Sequence, residues 1–107
     1  MLIVGEQEHN KAMQEGETIL SYKAKLEAFD WLVLEEKEGN NIEAIIKTLN
    51  KAKELSGKGK PVAIILHTEM GNGVDYMMGT HKWHGSAPND EQLANALSQN
   101  PETLGDY

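Results

Sequence analysis

The residues able to do chemistry in this 107-residue chain fall in two places. His67, His81 and His84 lie in one long segment, 67–88, that also carries Gly71, Gly73, Gly79 and Gly85 and shows almost no periodicity. About twenty residues without a helix or strand pattern, in so small a chain, point to function or to disorder. His81 and His84 are three apart, a spacing that on a helix puts both rings on one face for a metal such as zinc, with His67 or Asp75 as the third ligand. A satisfied surface or core role is the commoner fate of a lone histidine. Near the other end, Glu8-His9-Asn10-Lys11 offers oxygen donors suited to a hard cation. Gly71-Asn72-Gly73 reads as a tight turn, because the further glycine of a dinucleotide fingerprint is missing.

Composition narrows the partners. Seventeen acidic residues stand against ten basic ones, all lysine, for a net charge of -7. Without arginine there is no planar fork for bidentate grip on phosphate. Lysines interleaved with glutamates do not make the clustered basic face that nucleic acid or an anionic membrane needs. No cysteine is present, so disulfides, thiolate metal sites and thiol nucleophiles drop out together. Met1-Leu2-Ile3-Val4 is too short for a signal peptide or a membrane span, which makes the cytoplasm the default.

The elements that must position these residues are legible as apolar runs and helical spacings. An apolar run at 1–4 reads as a strand, followed by a polar loop from Gly5 to Gly16. Ile19, Tyr22, Leu26 and Phe29, three and four apart, predict a short amphipathic helix with Ser21 as a cap. Trp31 to Leu34 reads as a buried strand ending in the solvated cluster Glu35-Glu36-Lys37-Glu38. Ile42, Ile45, Ile46, Leu49, Ala52 and Leu55 mark one face of a second helix, with Asn40 and Glu43 at capping-box spacing and a stop near Ser56-Gly57. Pro61 to Leu66 is a third apolar strand. A last helix follows Pro88-Asn89, with Asn89 paired to Gln92 and Leu93, Ala94, Ala96 and Leu97 on one side. Strands apolar on both faces, alternating with helices, predict parallel pairing by crossover connections. In such sheets a ligand lies beyond the carboxyl ends of the strands, here the segments after Val4, Leu34 and Leu66.

From Lys58-Gly59-Lys60-Pro61 through Leu66-His67-Thr68 and on through "EMGNGVDYMMGTHKWHGSAPNDEQLANAL", the chain resembles the end of the amino-terminal, diphosphate-binding section of transketolases. Upstream, Phe29 to Val33 and Gly39-Asn40-Asn41-Ile42-Glu43-Ala44-Ile45 are similar to that section's strand and helix opening, and "EHNKAMQEGET" to its preceding loop. The resemblance reaches about Leu97, favours the type split into two polypeptides, and has "WHGSAPNDEQL" as its most specific piece.

The resemblance implies an α/β fold, a three-layer parallel sheet of about three strands with flanking helices, as a partial thiamine diphosphate-binding fold over residues 1–98 with a polar tail at 99–107. It makes Asn10, by its side-chain oxygen, and Ala12, by its carbonyl, magnesium ligands. It places His84 as the catalytic histidine facing the cofactor diphosphate, and Gly71 among the cofactor-binding residues. Hard oxygen donors suit magnesium shared with phosphate, and an imidazole beside a diphosphate donates to phosphate oxygens or stabilises charge on the substrate. In the family the cofactor carries the carbanion chemistry of moving a two-carbon ketol unit between sugar phosphates, in the pentose phosphate pathway. Departures are Glu8, His9 and His67, where the family has Asp, Asn and often Lys. The Gly-Asp-Gly magnesium motif, the upstream substrate-channel histidines and the pyrimidine-binding domain are not in this sequence. The chain alone is therefore expected to be a fragment, without bound cofactor or catalysis of its own, and to associate with itself as a homo-oligomer or with a carboxy-terminal transketolase subunit. The alternative is a free-standing remnant that dimerises or docks on another subunit.

Overall fold

The computed structural model describes residues 1–7 and 22–100. Asn10, Ala12, the helix start at Ile19, the Ser21 cap and the end of the polar tail lie outside the described residues. The chain forms two compact units, residues 1–69 and residues 70–107.

The first unit is a parallel sheet with a helix on each face. Its elements are β1 (Leu2–Gln7), α1 (Tyr22–Ala28), β2 (Leu32–Glu36), α2 (Ile42–Leu55) and β3 (Val62–Thr68). The strand order is β1-β3-β2, so β3 is central, with Ile64 level with Ile3 on one side and Leu34 on the other. Because β3 is covered on both faces, its apolar run does not alternate: Val62, Ala63, Ile64 and Ile65 are all buried. Side chains two apart share a face. Val62 and Ile64 pack with Ala52 of α2, and Leu32, Leu34, Leu49, Leu55 and Leu66 close round them. Ala63, Ile65 and His67 turn to the opposite face, where α1 lies against β2 and β3.

Several local details differ from the sequence reading. β1 runs on to Gln7, beyond the apolar run at 1–4, and as an end strand it leaves Ile3 half-exposed. β2 extends through Glu35 and Glu36; Glu35, Lys37 and Glu38 are exposed, as a solvated cluster should be, whereas Glu36 is half-buried. β3 extends through His67 and Thr68, because Glu6 and Gln7 lie opposite them in the register. Phe29 is outside the packed face of α1 and strongly exposed, since the helix stops at Ala28. There Asp30 takes φ 63° and Trp31 N–H reaches back to the Leu26 carbonyl, the left-handed helix stop usually made by glycine. In α2, Ile42 and Ile46 stand at the flank of the line formed by Ile45, Thr48, Leu49, Ala52 and Leu55, and both remain exposed.

The α2 cap is Asn41, whose side chain accepts from Glu43 N–H and Ala44 N–H, rather than Asn40. The helix ends at Leu55 with Ser56 as its C-cap, as its sequence predicts.

The second unit holds the segment that showed no periodicity. Successive single turns at Gly71–Val74 and Val74–Met77 lead to a 3-10 helix, His81–Trp83, and then to α3 (Asp90–Gln99). The α3 start is the expected capping box, with Asn89 and Gln92 each accepting the other's backbone N–H.

Candidate functional site

The second unit presents His84 from a short, well-tied turn. Thr80 caps the 3-10 helix by accepting from Lys82 N–H, and His84 closes it, its N–H donating to the His81 carbonyl at 3.0 Å. The imidazole is exposed. Residues 76–89 contain no Asp or Glu but do contain Lys82, His81 and His84, a local exception in a chain of net charge -7. Lys82, His81 and His84 are side chains from which an anionic group can accept hydrogen bonds, with Asp75 and Asp90 bounding this stretch in the sequence.

His81 and His84 lie at the first residue and the C-cap of a 3-10 turn, not on an α-helix. Among the described residues no three His, Cys, Asp or Glu side chains gather in a way that could hold a metal ion. Gly71 has φ +72°, and a Cβ built on it would come within 2.6 Å of the Met77 Cβ and 2.7 Å of its carbonyl. Glycine there is required by the fold of the turn itself.

The carboxyl ends of β2 and β3, in the first unit, bring His67 together with Glu35, which sequence reasoning did not single out as a site residue. Glu35 bridges two elements: its Oε1 lies 3.2 Å from His67 Nε2 and its Oε2 lies 3.0 Å from Lys23 Nζ of α1. The hydrogen bond from Lys23 holds the Glu35 carboxyl below its usual range, and the same bond raises the Lys23 ammonium. Glu36, one residue on, faces α2. Its carboxylate accepts from Glu38 N–H and from the Thr48 hydroxyl, and the Glu38 bond is the larger cause of its lowered pKa. An open pocket of about 230 Å³ lies beside it, between β2 and the Lys47, Thr48 and Lys51 side of α2.

The β2–α2 connection closes on the end of β3. Gly39 N–H donates to the His67 carbonyl at 2.9 Å, and Asn40 Oδ1 accepts from Glu69 N–H at 2.7 Å. The signal that could have found these groups is position alone: each lies at a strand end, where ligands and tethers collect in parallel sheets.

The transketolase thiamine diphosphate-binding domain family matches residues 3–102. Over 84 residues the chain is 38% identical to one subunit of the apulose-4-phosphate transketolase of Phocaeicola vulgatus, covering 78% of this chain and 29% of that protein. It is 43% identical over 63 residues to the transketolase of Physarum polycephalum, covering 59% of this chain and 9% of that one. A 1-deoxy-D-xylulose-5-phosphate synthase of Helicobacter hepaticus is 41% identical over 61 residues, covering 56% of this chain and 9% of that enzyme. The chain thus spans less than a third of the length of these curated relatives. No solved structure matches it significantly.

Proposed function

Because this chain belongs to the transketolase thiamine diphosphate-binding domain family, we propose that it supplies the diphosphate-side part of a transketolase amino-terminal subunit. In the assembled enzyme, set in the cytoplasm, a two-carbon ketol unit passes between sugar phosphates. The observation that supports this most is the exposed His84 imidazole on an acid-free turn. His84 donates to a phosphate oxygen of the cofactor or to the oxygen of the reacting carbonyl, where fixed donors act most strongly. Asn10 and Ala12 supply oxygen to magnesium, a donor chemistry that fits the ion. Gly71 lets the backbone turn back tightly before the His84 segment. When bound, thiamine diphosphate supplies the electron-sink chemistry of ketol transfer. The protein positions it.

The partner in this reading is a second polypeptide that completes the active centre, since one relative is itself named as a single subunit of a transketolase. The chain alone is inactive. Two assays test this. The purified chain with magnesium and thiamine diphosphate gives no ketol transfer above blank. Grafted in place of the matching stretch in the amino-terminal polypeptide of a split transketolase, it restores transfer with the second polypeptide, and His84→Ala lowers that rate by about a hundredfold or more. Turnover by the chain alone, or a folded graft indifferent to His84→Ala, overturns the reading.

A docking module is the second reading, favoured by the exposed Ile3, Ile42 and Ile46 of the first unit. Light scattering after size exclusion separates it: a monomer at high concentration counts against docking on itself.

A further inference from the structure

The second unit ties its turns together through two aromatic residues. Trp83 Nε1–H donates to the Tyr76 carbonyl at 3.0 Å, and the two rings meet edge to face with centroids 5.1 Å apart and planes at 65°. Tyr76 in turn is anchored to α3, its hydroxyl donating to the Gln92 carbonyl at 2.8 Å. The residue before it is held as well: Asp75 N–H donates to Gln99 Oε1 at 2.9 Å, and Gln99 Nε2 returns a bond to Asp75 Oδ1 at 2.8 Å. Tyr76 N–H closes on the Asp75 carboxylate. A chain of contacts therefore runs from the rigid helix α3 through Tyr76 to Trp83, and Trp83 is the residue before His84.

We propose that Trp83 is a positioning residue for His84. The 3-10 turn is three residues long, and its local bonds include Lys82 N–H to Thr80 Oγ1 at 3.3 Å, His84 N–H to the His81 carbonyl at 3.0 Å and Ser86 N–H to the Trp83 carbonyl at 3.3 Å. Helices of this kind are held by their surroundings more than by themselves. The indole provides that hold, with two kinds of contact at once: a directional N–H bond to a backbone carbonyl and a ring-edge contact with Tyr76. An edge-to-face pair adds to what burial alone supplies. With the backbone at residue 83 fixed, the imidazole at 84 starts from a defined Cα and need search only its own two side-chain torsions. Reacting groups placed in this way lose rate steeply when misplaced by about an ångström. The inference rests on the proposed role of His84, but the clamp is a property of this chain and is testable without cofactor.

The measurement is backbone ¹⁵N relaxation of the full chain, with Trp83→Phe and Tyr76→Phe as variants. Trp83→Phe keeps a ring and removes the N–H donor, whereas Tyr76→Phe keeps the ring and removes the bond to α3. In both, order at His84, Gly85 and Ser86 falls while the amides of α3 keep theirs, and in Tyr76→Phe the near-ultraviolet circular dichroism of Trp83 weakens. Unchanged order at 84–86 in Trp83→Phe, or an equal loss across α3, overturns the proposal, the second pattern being that of ordinary packing. If Trp83→Phe does not fold, Tyr76→Phe decides by the same two patterns. In the grafted enzyme Trp83→Phe lowers kcat about tenfold with KM little changed. A graft that fails with Trp83 intact counts against the function and leaves the relaxation result standing.

Discussion

Glu35 and His67 stand 3.2 Å apart, Oε1 to Nε2, across the neighbouring strands β2 and β3, at the end of the sheet where a parallel fold leaves room for ligands. Lys23 of α1 takes the other carboxylate oxygen at 3.0 Å. The carboxylate thus ties the covering helix to the sheet. Because the Glu35 pKa is lowered on folding, its contribution is present above the usual glutamate value of 4.5 and is lost as pH falls through the lower folded value. Lys23 has a raised pKa, so its share holds below 10.5 and is lost only as pH rises past the raised value. Urea midpoints taken from pH 7 down to pH 3 should fall, and Glu35→Gln should flatten part of that fall. Glu36, whose pKa is also lowered, adds to the fall. Salt should weaken the Glu35 share, because the pair is partly exposed.

Gly39→Ala should destabilise the first unit by about 2 kcal/mol or more, since a Cβ there would sit 2.3 Å from the His67 carbonyl oxygen and 2.7 Å from its carbon. Backbone on both sides leaves no flexible atom to give way. A denaturant midpoint equal to that of the parent chain would refute the close approach.

Gly71→Ala acts on the second unit. Its φ of +72° and the Met77 backbone at 2.7 Å both oppose a side chain. Hydrogen exchange over residues 70–89 should accelerate, while β3 amides keep their protection. If instead the exchange pattern is unaltered, the turn does not depend on glycine.

The paired asparagines at the β2–α2 connection should separate cleanly. Asn41→Ala removes the acceptor for Glu43 and Ala44 N–H and should cost about 1 kcal/mol of stability. Asn40→Ala leaves that cap intact and frees Glu69 N–H, so its effect should appear as faster exchange at Glu69. Asn40→Asp, which retains the oxygen, should restore the protection.

Ile64→Ala removes a fully buried side chain from the central strand and should cost about 2–5 kcal/mol. In a unit of this size that is enough to unfold a large fraction of the chain. Ile64→Val, at about 0.5–1.5 kcal/mol, should leave it folded, and circular dichroism melts compare the two.

Apolar runs and three-and-four spacings are local properties, and from them the order of strands and helices, the parallel pairing, the stop of α2 at Leu55 and the Asn89–Gln92 capping box were legible in the chain. A hydrophobic run reports burial and a cap reports its own helix start, whatever lies elsewhere. What the spacing could not tell is which equal-looking residue wins a contact made across the fold. Asn40 and Asn41 read alike, yet one caps α2 and the other holds the end of β3. Glu35 and Glu36 read alike as solvated; Glu35 is indeed exposed, but the pleat gives it Lys23 and His67 as partners and gives the half-buried Glu36 the Thr48 hydroxyl. Phe29 and Ile42 have apolar spacing yet stay exposed, Phe29 because its helix stops at Ala28 and Ile42 because it stands at the flank of the packed line of α2. The turns of residues 70–89 have no period to read, since their bonds run to α3 and to one another, not along a repeating local pattern. Such contacts join residues far apart in sequence, and only the closed chain decides them.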